Sequence, residues 1–211
     1  MTDRSIRGLY VIIDPDACAG RDAVDIARQA LEGGAALLQW RDKRREKGDQ
    51  LADARAIGEL CVQHSALLIV NDHVDLALAA GADGVHLGQH DLPVEAVRRI
   101  VPPEFIVGVS TNDAEEARRA EAGGASYVAV GSVFPTASKE PERTRAASPE
   151  RVREVKSAVG VPVVAIGGIN ASNVGEVVAA GADAVAVISA VCSAADPRAA
   201  ARELAGLVSG R

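Results

Sequence analysis

The sequence is poor in aromatic residues, with two Phe, two Tyr and one Trp among 211 residues. Its core must therefore be built from Ala, Val, Leu and Ile, side chains that suit strands covered on both faces by helices. Cysteine is scarce as well. Cys18, Cys61 and Cys192 are odd in number, far apart and never in a C-x-x-C spacing, which excludes a disulfide framework, disfavours a zinc site and fits a reducing cytoplasm. An excess of positive charge is missing too. A net charge of -6 argues against the concentrated basic face that a nucleic-acid partner requires. No apolar run approaches the roughly 20 residues of a membrane span. Met1 to Gly8 are polar and pass directly into an apolar run, without a signal-type region. The expectation is a cytoplasmic protein with neither membrane nor nucleic acid as a partner. Also lacking is a G-x-G-x-x-G turn between a strand and a helix, which argues against a dinucleotide-binding sheet.

What is present is a regular alternation. Short β-branched or Leu-rich runs occur at Leu9 to Ile13, Ala36 to Trp40, Leu67 to Val70, Gly84 to Leu87, Ile106 to Val109, Tyr127 to Val130, Val161 to Ile166 and Ala184 to Ile188, each of the length of a buried strand. Between them lie stretches with helical spacing: Asp22 to Glu32, Asp49 to Gln63, Val74 to Ala80, Pro93 to Ile100, Asp113 to Glu121, Pro149 to Val159, Ser172 to Ala180 and Pro197 to Val208. Asn112 and Ser148 stand where helix caps are expected, Ser148 with proline at the first helical position. One phrase recurs as Gly33-Gly34-Ala35-Ala36, Ala80-Gly81-Ala82-Asp83, Ala122-Gly123-Gly124-Ala125-Ser126 and Ala179-Ala180-Gly181-Ala182-Asp183. It leads into every second strand, as a barrel repeating by strand pairs would give. The fold class is therefore α/β, a single (β/α)8 TIM barrel over residues 1–211, with an open doubly wound sheet as the alternative.

In such barrels chemistry is carried by residues at the C-terminal ends of strands. After the second run comes Gln39-Trp40-Arg41-Asp42-Lys43. An Arg and a Lys two apart at a strand end can both reach one anion, Arg as a fork and Lys as a point charge. Arg44, Arg45 and Lys47 follow, so a solvated basic stretch is equally open. Trp40 reads as packing, with stacking on a ligand left open by its place in the motif. Asp72 and Asp91 follow the third and fourth runs, where two carboxylates on adjacent strand ends can share a hard divalent ion such as magnesium, completed by phosphate oxygens and water. Each could instead cap the helix that follows it. His73, His86 and His90 lie in the same region but lack zinc-site spacing, and His86 reads as a satisfied core or rim histidine. Ser110 lacks a G-x-S-x-G elbow and is read as a donor to phosphate rather than a nucleophile.

After the sixth run, Thr136 and Ser138 with Lys139 form either an anion clamp or part of an exposed loop. The length of the stretch through Ala147 favours a lid. Gly167-Gly168 after the seventh run, and a helix start after Ile188-Ser189, match a barrel phosphate site made of backbone N–H groups. Two anion sites are expected on one rim, one for a metal-bound diphosphate and one for a phosphate monoester.

On the motifs Gln39-Trp40-Arg41-Asp42-Lys43, Asn71-Asp72, His86-Leu87-Gly88-Gln89-His90-Asp91, Pro135-Thr136-Ala137-Ser138-Lys139, Gly167-Gly168-Ile169 and Val187-Ile188-Ser189, the sequence closely resembles the thiamine phosphate synthase family over nearly the whole chain. The resemblance implies a transferase that joins a hydroxymethylpyrimidine diphosphate to a thiazole phosphate and releases diphosphate. It implies that Gln39, Trp40, Arg41, Asp42, Lys43, Asn71, Ser110 and Lys139 hold the pyrimidine diphosphate, with Arg41, Lys43 and Lys139 as the catalytic cations. It further implies that Thr136, Ala137, Ser138, Gly168, Ile188 and Ser189 hold the thiazole phosphate, and that Asp72 and Asp91 hold Mg2+.

Departures from the family pattern are Trp40 in place of a smaller aliphatic residue, Ser138 in place of a threonine, and a loop before Ser148 without its usual glycine. Two other readings remain. One is a thiazole tautomerase of the sister family, which the resemblance would lead one to expect without the metal carboxylates and with a histidine where Ser132 stands. The other is a non-catalytic phosphate-ligand sensor on a barrel scaffold. Nothing in the sequence specifies an oligomeric state.

Overall fold

Eight short strands, each alternating between two burial environments, set the architecture. In the computed structural model, which describes residues 5–136 and 148–210, these are β1 (Gly8–Ile13), β2 (Leu37–Trp40), β3 (Leu67–Asn71), β4 (Gly84–Leu87), β5 (Ile106–Thr111), β6 (Tyr127–Val130), β7 (Val163–Ile166) and β8 (Ala184–Val187). They pair in parallel in sequence order, and β8 closes on β1 through Gly8–Ala184 to Val11–Val187. The helices are α1 (Ala23–Glu32), α2 (Lys47–Gln63), α3 (Val74–Ala80), α4 (Val94–Arg98), α5 (Ala114–Ala122), α6 (Pro149–Ala158), α7 (Val174–Ala179), α8 (Ser189–Cys192) and α9 (Pro197–Ser209). The (β/α)8 barrel read from the sequence is the observed fold.

Side chains alternate across each strand, and the alternation divides the apolar residues into two cores. Tyr10, Ile12, Leu37, Leu67, Ile69, Tyr127, Ala129, Val164, Ala184 and Ala186 fill the barrel. Their neighbours Val11, Leu38, Trp40, Leu68, Val70, Val85, Val128, Val163 and Val185 pack outward with the helices. A two-sided burial of this kind explains why each strand reads as a continuous apolar run.

The recurring phrase marks the helix-to-strand turns as expected, with Gly34, Gly81, Gly124 and Gly181 all at positive φ, the conformation that ends a helix at low steric cost. Details differ at element ends. The cap of α5 is Asp113, which accepts from the Glu115 and Glu116 N–H groups, and not Asn112. Ser148 occupies the cap position of α6 without a side-chain bond to the helix backbone. β7 starts at Val163 rather than Val161. Pro162 has no N–H, and its carbonyl accepts from Val128. The short α8 is an extra element between β8 and α9 that hydrophobic spacing alone did not separate.

One close contact makes the inner core sensitive to a single methyl group. A Cβ on Gly108 would stand 2.0 Å from Cζ of Tyr127 and 2.4 Å from its hydroxyl oxygen. Gly108→Ala is therefore expected to destabilise the fold by about 1–3 kcal/mol, a fall in Tm of roughly 3–10 °C. Gly206→Ala, on α9 with nothing within 4 Å, should instead gain about 0.5–1 kcal/mol. Thermal unfolding of both variants checks the contrast, and equal Tm values would count against the packing account.

Candidate functional site

The strand alternation also decides which of the motif residues reach the mouth of the barrel. On β2, Leu37 faces the interior and Gln39 shares its parity; Trp40 shares the outward parity of Leu38. Trp40 is 1% exposed, its indole N–H donates to Gln50 Oε1 on α2 at 3.1 Å, and the Arg45 guanidinium lies 5.5 Å from its ring centroid. Trp40 is thus a packing residue under α2, as its residue-level reading had it. Asp42 is engaged locally as well. Its carboxylate is spent on the turn that follows β2, accepting from the backbone N–H groups of Arg44 (2.9 Å) and Arg45 (3.1 Å) and pairing with the Arg45 side chain. Burial pushes its pKa up, but these bonds bring it below the ordinary carboxylate range.

The basic run divides along the same lines. Arg44 pairs with Asp16, Arg45 with Asp42 and Asp53, and Lys47 with Asp75. Arg41 pairs with the nearly buried carboxylate of Asp14, which follows β1, and Lys43 pairs with Asp72. Asp14 was not singled out in the sequence, although it follows Ile12 at the two-residue period of the inward face.

Asp72 and Asp91 do not cap helices. The cap position of α3 is His73 and that of α4 is Pro93, neither with a side-chain cap bond. Asp72 sits at φ 62, its N–H bonded to the His86 carbonyl at 2.8 Å. Asp91 folds back on its own loop, accepting from Gly88 N–H at 2.7 Å. The two carboxyls are close enough to perturb each other. Burial, reinforced by Asp72 and opposed by the Gly88 N–H, raises the Asp91 pKa above the ordinary range. Asp72, despite burial, is held below that range by Lys43 and by its bond with Asp91. Asp72 and Asp91 thus bring two carboxyls together beside the Lys43 ammonium, where a divalent cation could be held. Among the described residues, no group of three or more His, Cys, Asp or Glu side chains is placed to hold a metal. Two carboxylates with open positions suit magnesium, which takes one or two of them and completes its shell with water and phosphate oxygens.

Deeper in the barrel lies a chain of polar groups not anticipated as a unit. Gln39, 2% exposed, donates to the Tyr10 hydroxyl at 2.8 Å. The Tyr10 and Tyr127 hydroxyls are 3.0 Å apart. His86 bonds to Tyr127 through Nδ1 at 3.0 Å and to Ser110 Oγ through Nε2 at 2.9 Å. Two-residue spacing could have found it, since Tyr10, Gln39, His86, Ser110 and Tyr127 all have the inward parity of their strands. Asn71 ends β3 beside His86, its Cα partner on β4.

Across the mouth, a cavity of about 460 Å3 is lined by Ser132, Thr136, Gly167, Gly168, Ile188, Ser189 and neighbours. Among the described residues, the N–H groups of Gly168, Ser189 and Ala190 bond to no carbonyl. A Cβ on Gly168 (φ +65) would stand 2.5 Å from the Pro135 carbonyl oxygen, so only glycine leaves this wall in place. The Ser132 hydroxyl is buried without a partner among the described residues, a donor with capacity to spare. Ala137, Ser138, Lys139 and the loop 140–147 lie outside the described residues.

The family described as thiamine monophosphate synthase matches residues 9–191. The thiamine-phosphate synthase of Methanospirillum hungatei is 49% identical over 201 residues, 95% of this chain and 97% of that protein. The thiamine-phosphate synthase of Methanoculleus marisnigri is 51% identical over 196 residues, 93% of this chain and 92% of that protein. Among solved structures, a thiamine phosphate pyrophosphorylase from Pyrococcus furiosus superposes with a TM-score of 0.91 at 42% identity, covering 98% of both chains.

Proposed function

The chain belongs to the thiamine monophosphate synthase family, and on that premise we propose how its rim carries out the reaction. The protein is a transferase that joins a pyrimidine diphosphate to a thiazole phosphate, forming thiamine phosphate and releasing diphosphate. The thiazole tautomerase and the non-catalytic sensor find no support among the relatives.

One observation carries the assignment of sides. Two cations, Arg41 and Lys43, stand with the paired carboxyls of Asp72 and Asp91 on the arc from β1 to β5, which also carries Ser110, while the backbone-lined cavity lies on the β6 to β8 arc. The pyrimidine diphosphate is assigned to the first arc, held by Gln39, Arg41, Lys43, Asn71 and Ser110, with Lys139 from the segment outside the described residues. The thiazole phosphate is assigned to the second, against Gly168, Ile188, Ser189 and Thr136, with Ala137 and Ser138 carried over from the sequence reading. Asp72 and Asp91 would hold Mg2+, which when bound supplies positive charge to the departing diphosphate.

Chemistry of this kind needs no activated nucleophile. The bond from the pyrimidine methylene carbon to the diphosphate oxygen breaks, and the electron-rich aminopyrimidine stabilises the resulting cation. The thiazole nitrogen then supplies the electron pair of the new C–N bond. What the protein must provide is neutralisation of the leaving group by Arg41 and Lys43, and alignment of two substrates held at separate anion sites. The odd number and scattered spacing of the three cysteines favour a reducing, cytoplasmic setting. No helix among the described residues is long and apolar enough to cross a membrane. We take the whole chain as one domain.

Mixing the purified protein with both substrates and Mg2+ should release diphosphate and thiamine phosphate in equal amounts. Absence of either product would overturn the assignment.

A further inference from the structure

We propose that Tyr10, Tyr127 and His86 are positioning residues that fix the Ser110 hydroxyl as a hydrogen-bond donor toward the pyrimidine diphosphate. The inference rests on the functional reading above and assigns a task to groups that reading leaves unused.

The chain of bonds has a direction, and the direction follows from counting protons. Gln39 places its amide nitrogen 2.8 Å from the Tyr10 hydroxyl, so Tyr10 accepts there. A buried phenol needs an acceptor for its own proton, and the Tyr127 oxygen stands 3.0 Å away. Tyr127, accepting from Tyr10, passes its proton to His86 Nδ1 at 3.0 Å. An accepting Nδ1 requires the imidazole proton on Nε2, which then donates to Ser110 Oγ at 2.9 Å. With its oxygen already accepting, Ser110 has its own proton free for an acceptor at the mouth. The substrate offers acceptors there, as phosphate oxygens and pyrimidine nitrogens.

The same atoms would carry the opposite instruction if the first link were reversed. An acceptor in place of the Gln39 amide nitrogen would draw the Tyr10 proton toward itself. Every later bond would then turn round, and Ser110 would spend its proton on Nε2. The residue that starts the chain thus sets the character of a hydroxyl four bonds away. The geometry holds this arrangement firmly. Tyr127 stacks on His86 with centroids 5.6 Å apart and meets Tyr10 edge-on at 6.3 Å. Both phenols are completely buried, and burial pushes both above their ordinary range, so they relay hydrogen-bond direction without ionising.

The test begins on the free protein by 15N NMR of its four histidines, with the His86 signal identified by its loss in His86→Gln. The wild type is expected to show His86 as the Nε2–H tautomer. In Gln39→Glu, whose carboxylate only accepts, it should switch to Nδ1–H. An Nδ1–H wild type, or an unchanged tautomer in Gln39→Glu, overturns the proposal. Neither measurement needs substrate, so failure of the synthase assay would leave this result separate.

Kinetics give the second arm. Tyr127→Phe, which removes two links and keeps the ring, should lower kcat/KM for the pyrimidine diphosphate about tenfold, a single hydrogen bond's worth, with KM for the thiazole phosphate unchanged. His86→Gln keeps an acceptor and a donor at its tip and should retain several-fold more activity than His86→Leu. Equal losses in His86→Gln and His86→Leu, or equal effects on both substrates in Tyr127→Phe, would reduce these residues to packing and overturn the proposal.

Discussion

Asp91→Ala should lower the rate of diphosphate release about 100- to 1000-fold at saturating substrates, the scale lost with one strong electrostatic partner of developing charge. Asp72→Asn should do the same, although it preserves shape. The expectation follows from the geometry of the pair. Neither carboxylate caps a helix, so removing its charge does not unravel α3 or α4. The change falls on the Asp72 and Asp91 pair, which sits against the Lys43 ammonium. Removing Mg2+ with a chelator should abolish turnover of the unaltered protein and make little further difference to the two variants. Steady-state assays with and without Mg2+ check this, and full activity of either variant, or metal-independent turnover, would remove the magnesium assignment.

The second large effect is expected at Arg41, because that side chain has two tasks. Arg41→Met should raise KM for the pyrimidine diphosphate about 100-fold, in the range for truncating one member of a desolvated charge pair. It should also cost about 3 kcal/mol of stability, since the nearly buried Asp14 carboxylate is left without its cation. Combining it with Asp14→Asn separates the tasks. The double variant should recover most of the stability, and Tm with it, while binding stays weak. If binding recovers together with Tm, the role of Arg41 is structural and its place in the diphosphate site is lost.

How much of this could be read beforehand depended on whether a feature is local. The eight strand runs, the glycine-marked turns into β2, β4, β6 and β8, and the clustering of polar residues behind strands are all properties of short windows, and they specified the barrel. The alternation of inward and outward side chains was also written in the sequence. Applied to β2, it would have assigned Gln39 to the interior and Trp40 to the helix layer. The motif taken as a block obscures that parity. Ser189 was placed correctly at the start of a helix, but the four-residue α8 itself is too short to carry a periodic signal.

Pairings between strands far apart in sequence needed the closed barrel. Nothing local ties Arg41 to Asp14, Lys43 to Asp72, or Tyr10 to Tyr127 across 117 residues. By itself, the sequence determined the barrel, its rim and the chemical types gathered there, because strand length, turn residues and side-chain period are set by neighbours along the chain. Only the tertiary structure decided which carboxylate faces which cation, that the Asp72 and Asp91 carboxyls meet, and that Gln39 connects to Ser110 through two phenols and an imidazole. Those relations arise when β8 closes on β1 and each strand's register brings its inward residues into shared layers.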